Sequence, residues 1–344
     1  MNKTSSDKVN IVNFLLTRRC NLRCEFCGIV KDDPDKPKEY PLVKHYMDHE
    51  LKTSDVLEFL RKLKIHNPDS FVIFYGGEPF LRKDLSIIID YCNKENINYT
   101  IISNNTEAVQ DKIENLIKEV GYIQGFTASV DPSPGISYSS DRDHKSKIGF
   151  NALLKYKNNI NDVVAEITAT SRDIEYLYPL VKSLSDNGIN SDITFVDTKK
   201  SMYYDFSCIS NDDILVRKSK EVREIFNRII DEKLNVHMRD TLLPMIYDIL
   251  PSELDCKLED NVHNLCVDSD GSVRLCLRIR GVQTPENFNT KNCFEEDGSL
   301  NEMLKHFIGE DKRKYCQKCN HTCYIMSNLN DINGLVHKEV REKK

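Results

Sequence analysis

The chain has 344 residues, 40% hydrophobic and 30% charged, enough to bury one large core or two ordinary ones. A net charge of -6 argues against a nucleic-acid surface, and no stretch approaches the roughly 20 apolar residues of a membrane span. The opening MNKTSSDKVN is polar with no signal core, so the expectation is a cytoplasmic protein engaging neither nucleic acid nor membrane.

Apolar runs and helical patterns alternate along the first two thirds of the chain. IVNFLLT (11–17) reads as a buried strand, and SDVLEFLRKLKI (54–65) as a helix with Ser54 as its cap. FVIFY (71–75) is a second strand, running into GGEP, and DLSIIIDYCNKEN (84–96) a helix. YTIIS (99–103) is a strand, and DKIENLIKEVG (111–121) a helix stopped by glycine. GFTASV (125–130) and VVAEITAT (163–170) are strands around the helix KIGFNALLKYK (147–157). IEYLYPLVKSLSDNG (174–188) is a helix irregular at Pro179, ITFVD (193–197) the sixth strand, and 211–234 a long last helix. Six β–α units predict a parallel sheet clothed in helices, an open or partial (β/α)6 TIM-like barrel rather than a complete one of eight units. Ligands of such sheets gather at the C-terminal ends of the strands. The polar motifs fall there: CNLRCEFC, GGEP, SNN and SVDP follow the first four strands.

Twelve cysteines need a reason in a reducing compartment, where thiols serve as metal ligands or catalytic groups more often than as disulfides. Cys20, Cys24 and Cys27 share one short loop, and seven follow residue 255. Cys92 and Cys208 stand alone and are read as core packing. Three thiolates suit a four-iron cluster, which takes one ligand per iron and here keeps one iron open. Zinc completed by a fourth ligand from elsewhere is the competing reading.

On these residues the chain resembles the radical S-adenosylmethionine (radical SAM) enzymes. Cys20, Cys24, Phe26 and Cys27 match the family's Cx3CxΦC signature, with Φ aromatic, and Gly76, Gly77, Glu78 and Pro79 match the GGEP at the end of its second strand. The resemblance implies a [4Fe–4S] cluster whose open iron chelates the methionine part of SAM. It further implies that the GGE segment meets the methionine amino group through its backbone or Glu78. Ser103, Asn104 and Asn105 fall where the family contacts the SAM ribose or carboxylate; an Asn-rich turn explains them equally. Ser129 and Asp131 match a common S-x-D pattern, Asp131 being a loop cap or a substrate ligand. Glu166, inside a strand, would reach SAM or substrate, or else face solvent at a sheet edge. Arg142, His144, Lys145 and Ser146 read as a solvated polar loop.

Downstream, 256–276 predicts a hairpin turning at SDGS, with Val267, Val273 and Leu275 as strand residues, and CQKCNHTC (316–323) adds a second thiolate-rich loop. A zinc ribbon would use similar logic. The pattern resembles the SPASM and twitch domains that carry auxiliary [4Fe–4S] clusters. Cys256, Gly271 and Cys276 fit the hairpin signature, with Cys316 and Cys319 closing one cluster. CxxCx3C with no later cysteine departs from the full SPASM pattern and favours a one-cluster, twitch-like form. Cys266, Cys293 and Cys323 are then surplus; Cys266 is read as buried or as replacing Cys256, and Cys323 as replacing Cys316 or Cys319. The expected division is a barrel over 1–235 and a small cysteine-rich SPASM/twitch-like domain over 236–344.

The resemblance implies reductive cleavage of SAM and hydrogen abstraction from a substrate C–H bond, with electrons from a low-potential donor such as flavodoxin or ferredoxin. Cys20, Cys24, Cys27, Glu78 and Asp131 are the catalytic candidates. A small-molecule oxidation or epimerisation assisted by the auxiliary cluster is the first reading, favoured by the compact length; the barrel begins near residue 10, so the peptide-recognition domain of many peptide-modifying relatives is expected to be absent or a separate protein. Modification of a ribosomal peptide or protein is the second. The molybdenum-cofactor GTP cyclase, suggested by GGEPFLRKDL, ranks lower because the chain ends VREKK without Gly-Gly. A non-catalytic iron–sulfur or zinc scaffold is the alternative of another class.

Overall fold

The computed structural model describes residues 9–24, 27, 29, 48–132, 143–195, 216, 219–237, 264–274, 289–291 and 293–294. The elements, in order, are β1 (Ile11–Thr17), α1 (Thr53–His66), β2 (Phe71–Gly76), α2 (Leu85–Lys94), β3 (Asn98–Ser103), α3 (Glu107–Val120) and β4 (Ile123–Ser129). They continue with α4 (Asp143–Tyr156), β5 (Ile160–Ala169), α5 (Leu177–Asp186), β6 (Asn190–Phe195), α6 (Lys220–Asp231), β7 (Asn264–Val267) and β8 (Val273–Arg274). Short 3-10 turns at Pro79–Leu81 and Ile174–Tyr176 precede α2 and α5.

One sheet runs in the order β6-β5-β4-β3-β2-β1-β7-β8. Every neighbouring pair from β6 to β7 is parallel, and only β7 with β8 is antiparallel. This is an open, partial TIM-like barrel, as the six-unit pattern predicts, with a hairpin added beside β1. The alternation of each strand decides its two faces. Val12, Phe14 and Leu16, Val72 and Phe74, Tyr99 and Ile101, and Val163, Ala165 and Ile167 join the buried cluster with the helices. In α1 the buried Val56, Phe59, Leu60 and Leu63 repeat at helical spacing and turn that stripe to the sheet. Phe14 meets Phe59 edge to face, their centroids 5.4 Å apart. Each such side chain contributes about 1.5–3 kcal/mol by leaving water. The opposite, concave face of this partial barrel carries Asn13, Thr100, Thr127, Ser129 and Glu166 among apolar residues such as Leu15 and Val164.

Several boundaries differ from expectation. The residue before α1 is Lys52, and no side chain caps the helix, so Ser54 lies inside its first turn. Pro179 sits in the first turn of α5, where its missing N–H has no intrahelical partner to lose, and the helix is not broken there. α4 begins at Asp143, so His144, Lys145 and Ser146 belong to a helix rather than a loop; Arg142 lies outside the described residues. α6 starts at Lys220, where Ser219 Oγ accepts the Val222 N–H at 3.2 Å. The hairpin predicted to turn at SDGS (269–272) is present, and the strand before the turn pairs with β1 as well. Among the described residues no helix is long and apolar enough to cross a membrane.

Candidate functional site

The cysteine loop leaves the sheet at Thr17 and is clamped at once to the end of β2. The Gly77 N–H donates to Thr17 O, and the Glu78 N–H to Arg19 O, both at 2.7 Å. A Cβ on Gly76 would lie 2.2 Å from Thr17 O, and one on Gly77 2.2 Å from Arg19 O. Both glycines are therefore required by the chain's own backbone, before any ligand is considered. Arg82 braces the same corner from beneath: it donates to Leu16 O at 2.8 Å and Leu51 O at 2.7 Å, and pairs with Asp84 at 2.7 Å. Arg82 sits in the GGEPFLRKDL run noted above, and its contacts give that run a structural reason.

Glu78 has no exposed surface. Its carboxylate accepts from Phe80 N–H at 3.1 Å, Asn104 N–H at 2.8 Å, and Ser103 Oγ at 3.0 and 3.1 Å. Burial pushes its pKa up to about 7, against the opposing pull of those donors. Glu78 thus ties the end of β2 to the end of β3, while the glycines before it remain partly exposed.

The SNN segment continues this tie into the loop. Asn104 Nδ2 donates to Asn21 Oδ1 at 2.8 Å and reaches Cys20 Sγ at 3.7 Å. Asn21 in turn donates to Thr106 Oγ1 at 2.9 Å. Asn105 is buried at φ 49°, its Nδ2 bonded to Gly149 O on α4 at 3.0 Å. The three residues turn the chain and brace the loop. Asn21 and Thr106 belong to the site as well, and sequence reading missed both because their partners are distant in the chain.

Cys20, Cys24 and Cys27 are all partly exposed. The Cys27 N–H closes a turn onto Cys24 O at 3.1 Å. The Leu22 N–H donates to Cys20 Sγ at 3.4 Å. Burial raises the Cys20 pKa, the Leu22 N–H and Asn104 amide lower it, and the charges of Glu78 and Cys27 raise it.

Of the remaining candidates, Ser129, Glu166 and Cys266 lie on the concave face. Asp131 is buried and accepts the Thr168 N–H at 3.0 Å, joining the end of β4 to β5. Ser129 stands beside Glu166, and Glu166 beside Asp192, in one row across β4, β5 and β6. β5 has a neighbour on each side, so Glu166 is not on a sheet edge. Asp192 Oδ1 accepts from His237 Nδ1–H at 3.1 Å, and this contact raises the His237 pKa. Cys266 is 2% exposed and in register with Asn13, on the concave face; Cys293 and Cys92 belong to the buried cluster, as read for Cys92. Phe26, Cys208, Cys256, Cys276, Cys316, Cys319 and Cys323 lie outside the described residues.

Among the described residues no three His, Cys, Asp or Glu side chains gather as around a single ion. A four-iron cluster asks for something different, since each thiolate takes its own iron. Three partly exposed thiols on one loop, at the ligand-binding end of a parallel sheet, fit that donor set.

A family profile described as the Radical SAM superfamily matches residues 14–198. Fe-coproporphyrin III synthase of Methanosarcina barkeri is 28% identical over 158 residues, covering 46% of this chain and 35% of its own length. GTP 3',8-cyclase of Clostridium botulinum is 22% identical over 323 residues, 92% of this chain and 90% of that enzyme. Streptococcus suis SuiB bound to its precursor peptide SuiA shares the fold at a TM-score of 0.57 and 15% identity, over 89% of this chain and 65% of SuiB.

Proposed function

Because the chain belongs to the Radical SAM superfamily, we propose that Cys20, Cys24 and Cys27 hold a [4Fe–4S] cluster at which SAM is reductively cleaved, leading to oxidation or epimerisation of a small molecule. When bound, cluster and SAM supply a 5′-deoxyadenosyl radical that takes hydrogen from a C–H bond. One observation carries the reading: the cysteine loop is hydrogen-bonded, backbone to backbone, to Gly77 and Glu78 at the neighbouring strand end. Gly76 and Gly77 present backbone to a ligand there, and Glu78 holds the strand ends together from behind. Ser129, Glu166 and Asp192 line the concave face on which a substrate would lie. The deeper Cys266 belongs to the segment 236–344, in which an auxiliary [4Fe–4S] cluster would draw on Cys256, Cys276, Cys316, Cys319 and Cys323. A cytoplasmic donor of the flavodoxin or ferredoxin kind would supply the electron.

The names of the curated relatives support a small-molecule substrate, since a nucleotide and a porphyrin are both small molecules. SuiB, with a peptide bound, has the same fold, so fold does not choose between substrate classes. The test is anaerobic reconstitution followed by reduction with SAM present. The expected outcome is a brown protein with roughly eight irons, two four-iron clusters, that releases 5′-deoxyadenosine. A zinc-loaded protein that leaves SAM intact would sink the reading and restore the scaffold alternative.

A further inference from the structure

We propose that Arg18 and Asp268 form a positioning pair that sets the course of the cysteine loop by locking it to the hairpin of β7 and β8. The inference rests on the reading that this loop holds the SAM-site cluster. Arg18 follows the last residue of β1 and stands two residues before Cys20. Its Nη2 lies 2.6 Å from Asp268 Oδ2 and its Nε 3.2 Å from Oδ1, a two-pronged contact between residues 250 apart in sequence. Both side chains have no exposed surface.

Asp268 is itself fixed by its turn. Its Oδ1 also accepts the Ser269 N–H at 2.7 Å, and its backbone N–H donates to Ser272 O at 2.9 Å. The turn is held against the rest of the site, with the Leu51 N–H donating to Ser269 O at 2.7 Å and Thr17 Oγ1 bonded to Glu50 at 2.6 Å.

A buried ion pair is a poor source of stability, because removing two charges from water offsets their attraction. What it supplies is a geometry that apolar packing does not. β7 pairs with β1 over four positions, Ile11 to Phe14, and the buried Leu265 and Val267 decide which of its faces meets the helices. A slip of one residue would carry Asp268 away from Arg18. The same slip would turn Cys266 from the concave face to the helix face. The pair therefore adds a contact past the end of that ladder, in register with the buried Leu265 and Val267, and, through the backbone from Arg18 to Cys20, sets the entry of the thiolate loop. Neither residue touches a reacting atom.

The test uses the full chain with Asp268→Asn and with the double change Arg18→Met, Asp268→Leu, which removes both charges together and gives up the acceptor of the Ser269 N–H. Three quantities are measured: melting temperature, the rate at which iodoacetamide alkylates Cys20 in iron-free protein, and SAM affinity after reconstitution. The double variant is expected to melt above Asp268→Asn, which leaves the buried Arg18 charge without its partner, to alkylate Cys20 several-fold faster than the parent, and to bind SAM about tenfold more weakly, the usual scale for a group supporting a metal ligand. Asp268→Asn should show the same two losses together with a lower melting temperature. Unchanged alkylation and SAM binding in the double variant would reduce the pair to packing and overturn the proposal. Failure of both variants to fold would overturn it too, making the pair a determinant of the fold rather than of the loop. If the parent itself takes up neither iron nor SAM, the functional reading falls, while the alkylation comparison still decides the lock.

Discussion

Cys20 and Cys266 lie beside the same strand, β1, yet their sulfurs are held by different means. Cys20 stands past the strand's end, partly exposed, with its sulfur accepting from the Leu22 N–H and facing the Asn104 amide. Cys266 stands within β7, 2% exposed, paired across the ladders with Asn13 and Arg274. The first is surrounded by polar groups that can reorganise around a metal; the second is fixed by sheet pairing on both sides. A thiol's reach for a ligand depends on where its strand stops.

The largest way to break this contrast is to remove one thiol from each place. Cys24→Ala should reduce 5′-deoxyadenosine release to background, whereas Cys266→Ala should leave both release and iron content near the parent. Iron assays and product chromatography decide it, and a loss of iron in Cys266→Ala would make that residue a ligand and end the contrast.

Glu78→Gln probes the brace behind the first site. Both carboxylate oxygens face backbone N–H donors, so one side of the amide would meet a donor with a donor. The expected cost is about 1–3 kcal/mol in denaturant unfolding. Its pH signature has a definite sign. The Glu78 pKa is raised from 4.5 to about 7, so the folded protein keeps a proton that the unfolded chain releases. That contribution is complete below pH 4.5 and is lost as pH rises through about 7. Glu78→Gln should flatten the slope in that window, and a slope matching the parent would remove Glu78 as its source.

A smaller change sharpens the link between SNN and the loop. Asn104→Ala deletes the bonds to Asn21 and Cys20 and should cost about 0.5–1.5 kcal/mol. An unaltered unfolding midpoint would show that the loop holds its place without Asn104.

The smallest effect is at the far end of the concave row. Asp192 raises the His237 pKa, so their contact stabilises the fold below the unfolded histidine value, near 6.5, and the gain fades as pH rises through the folded one. Because His237 is 41% exposed, solvent screening keeps the effect small. Asp192→Asn should move the imidazole titration toward 6.5 by NMR, and an unmoved titration would deny the contact in solution.

Much of this architecture was legible because it is written locally. The order of six strands, the loop after β1 and the glutamate after β2 follow from alternation and short motifs. Helix starts were harder. The first turn of α3, EAVQ, lies directly behind Asn104, Asn105 and Thr106, whose turn chemistry masked it. What stayed hidden was carried by pairings between distant residues. Glu78 meets Ser103, Arg82 meets Leu16 and Leu51, and β7 meets β1, and no periodicity announces such partners. The glycines of GGEP were legible as a close approach, but the sequence alone does not say that the approaching group is Arg19 O.

A half-open sheet has two raw borders, and exposed strand borders recruit other chains. Here both are dressed by later segments. β7 covers β1, and Asn235–His237 run beside β6, with the Ser191 N–H donating to Asn235 O and the His237 N–H to Ser191 O, each at 2.9 Å. A shortened protein that stops after β6 would leave β1 and β6 bare together. Its first failing would then be self-association rather than loss of chemistry, which makes light scattering the control to run on any isolated barrel before its activity is interpreted.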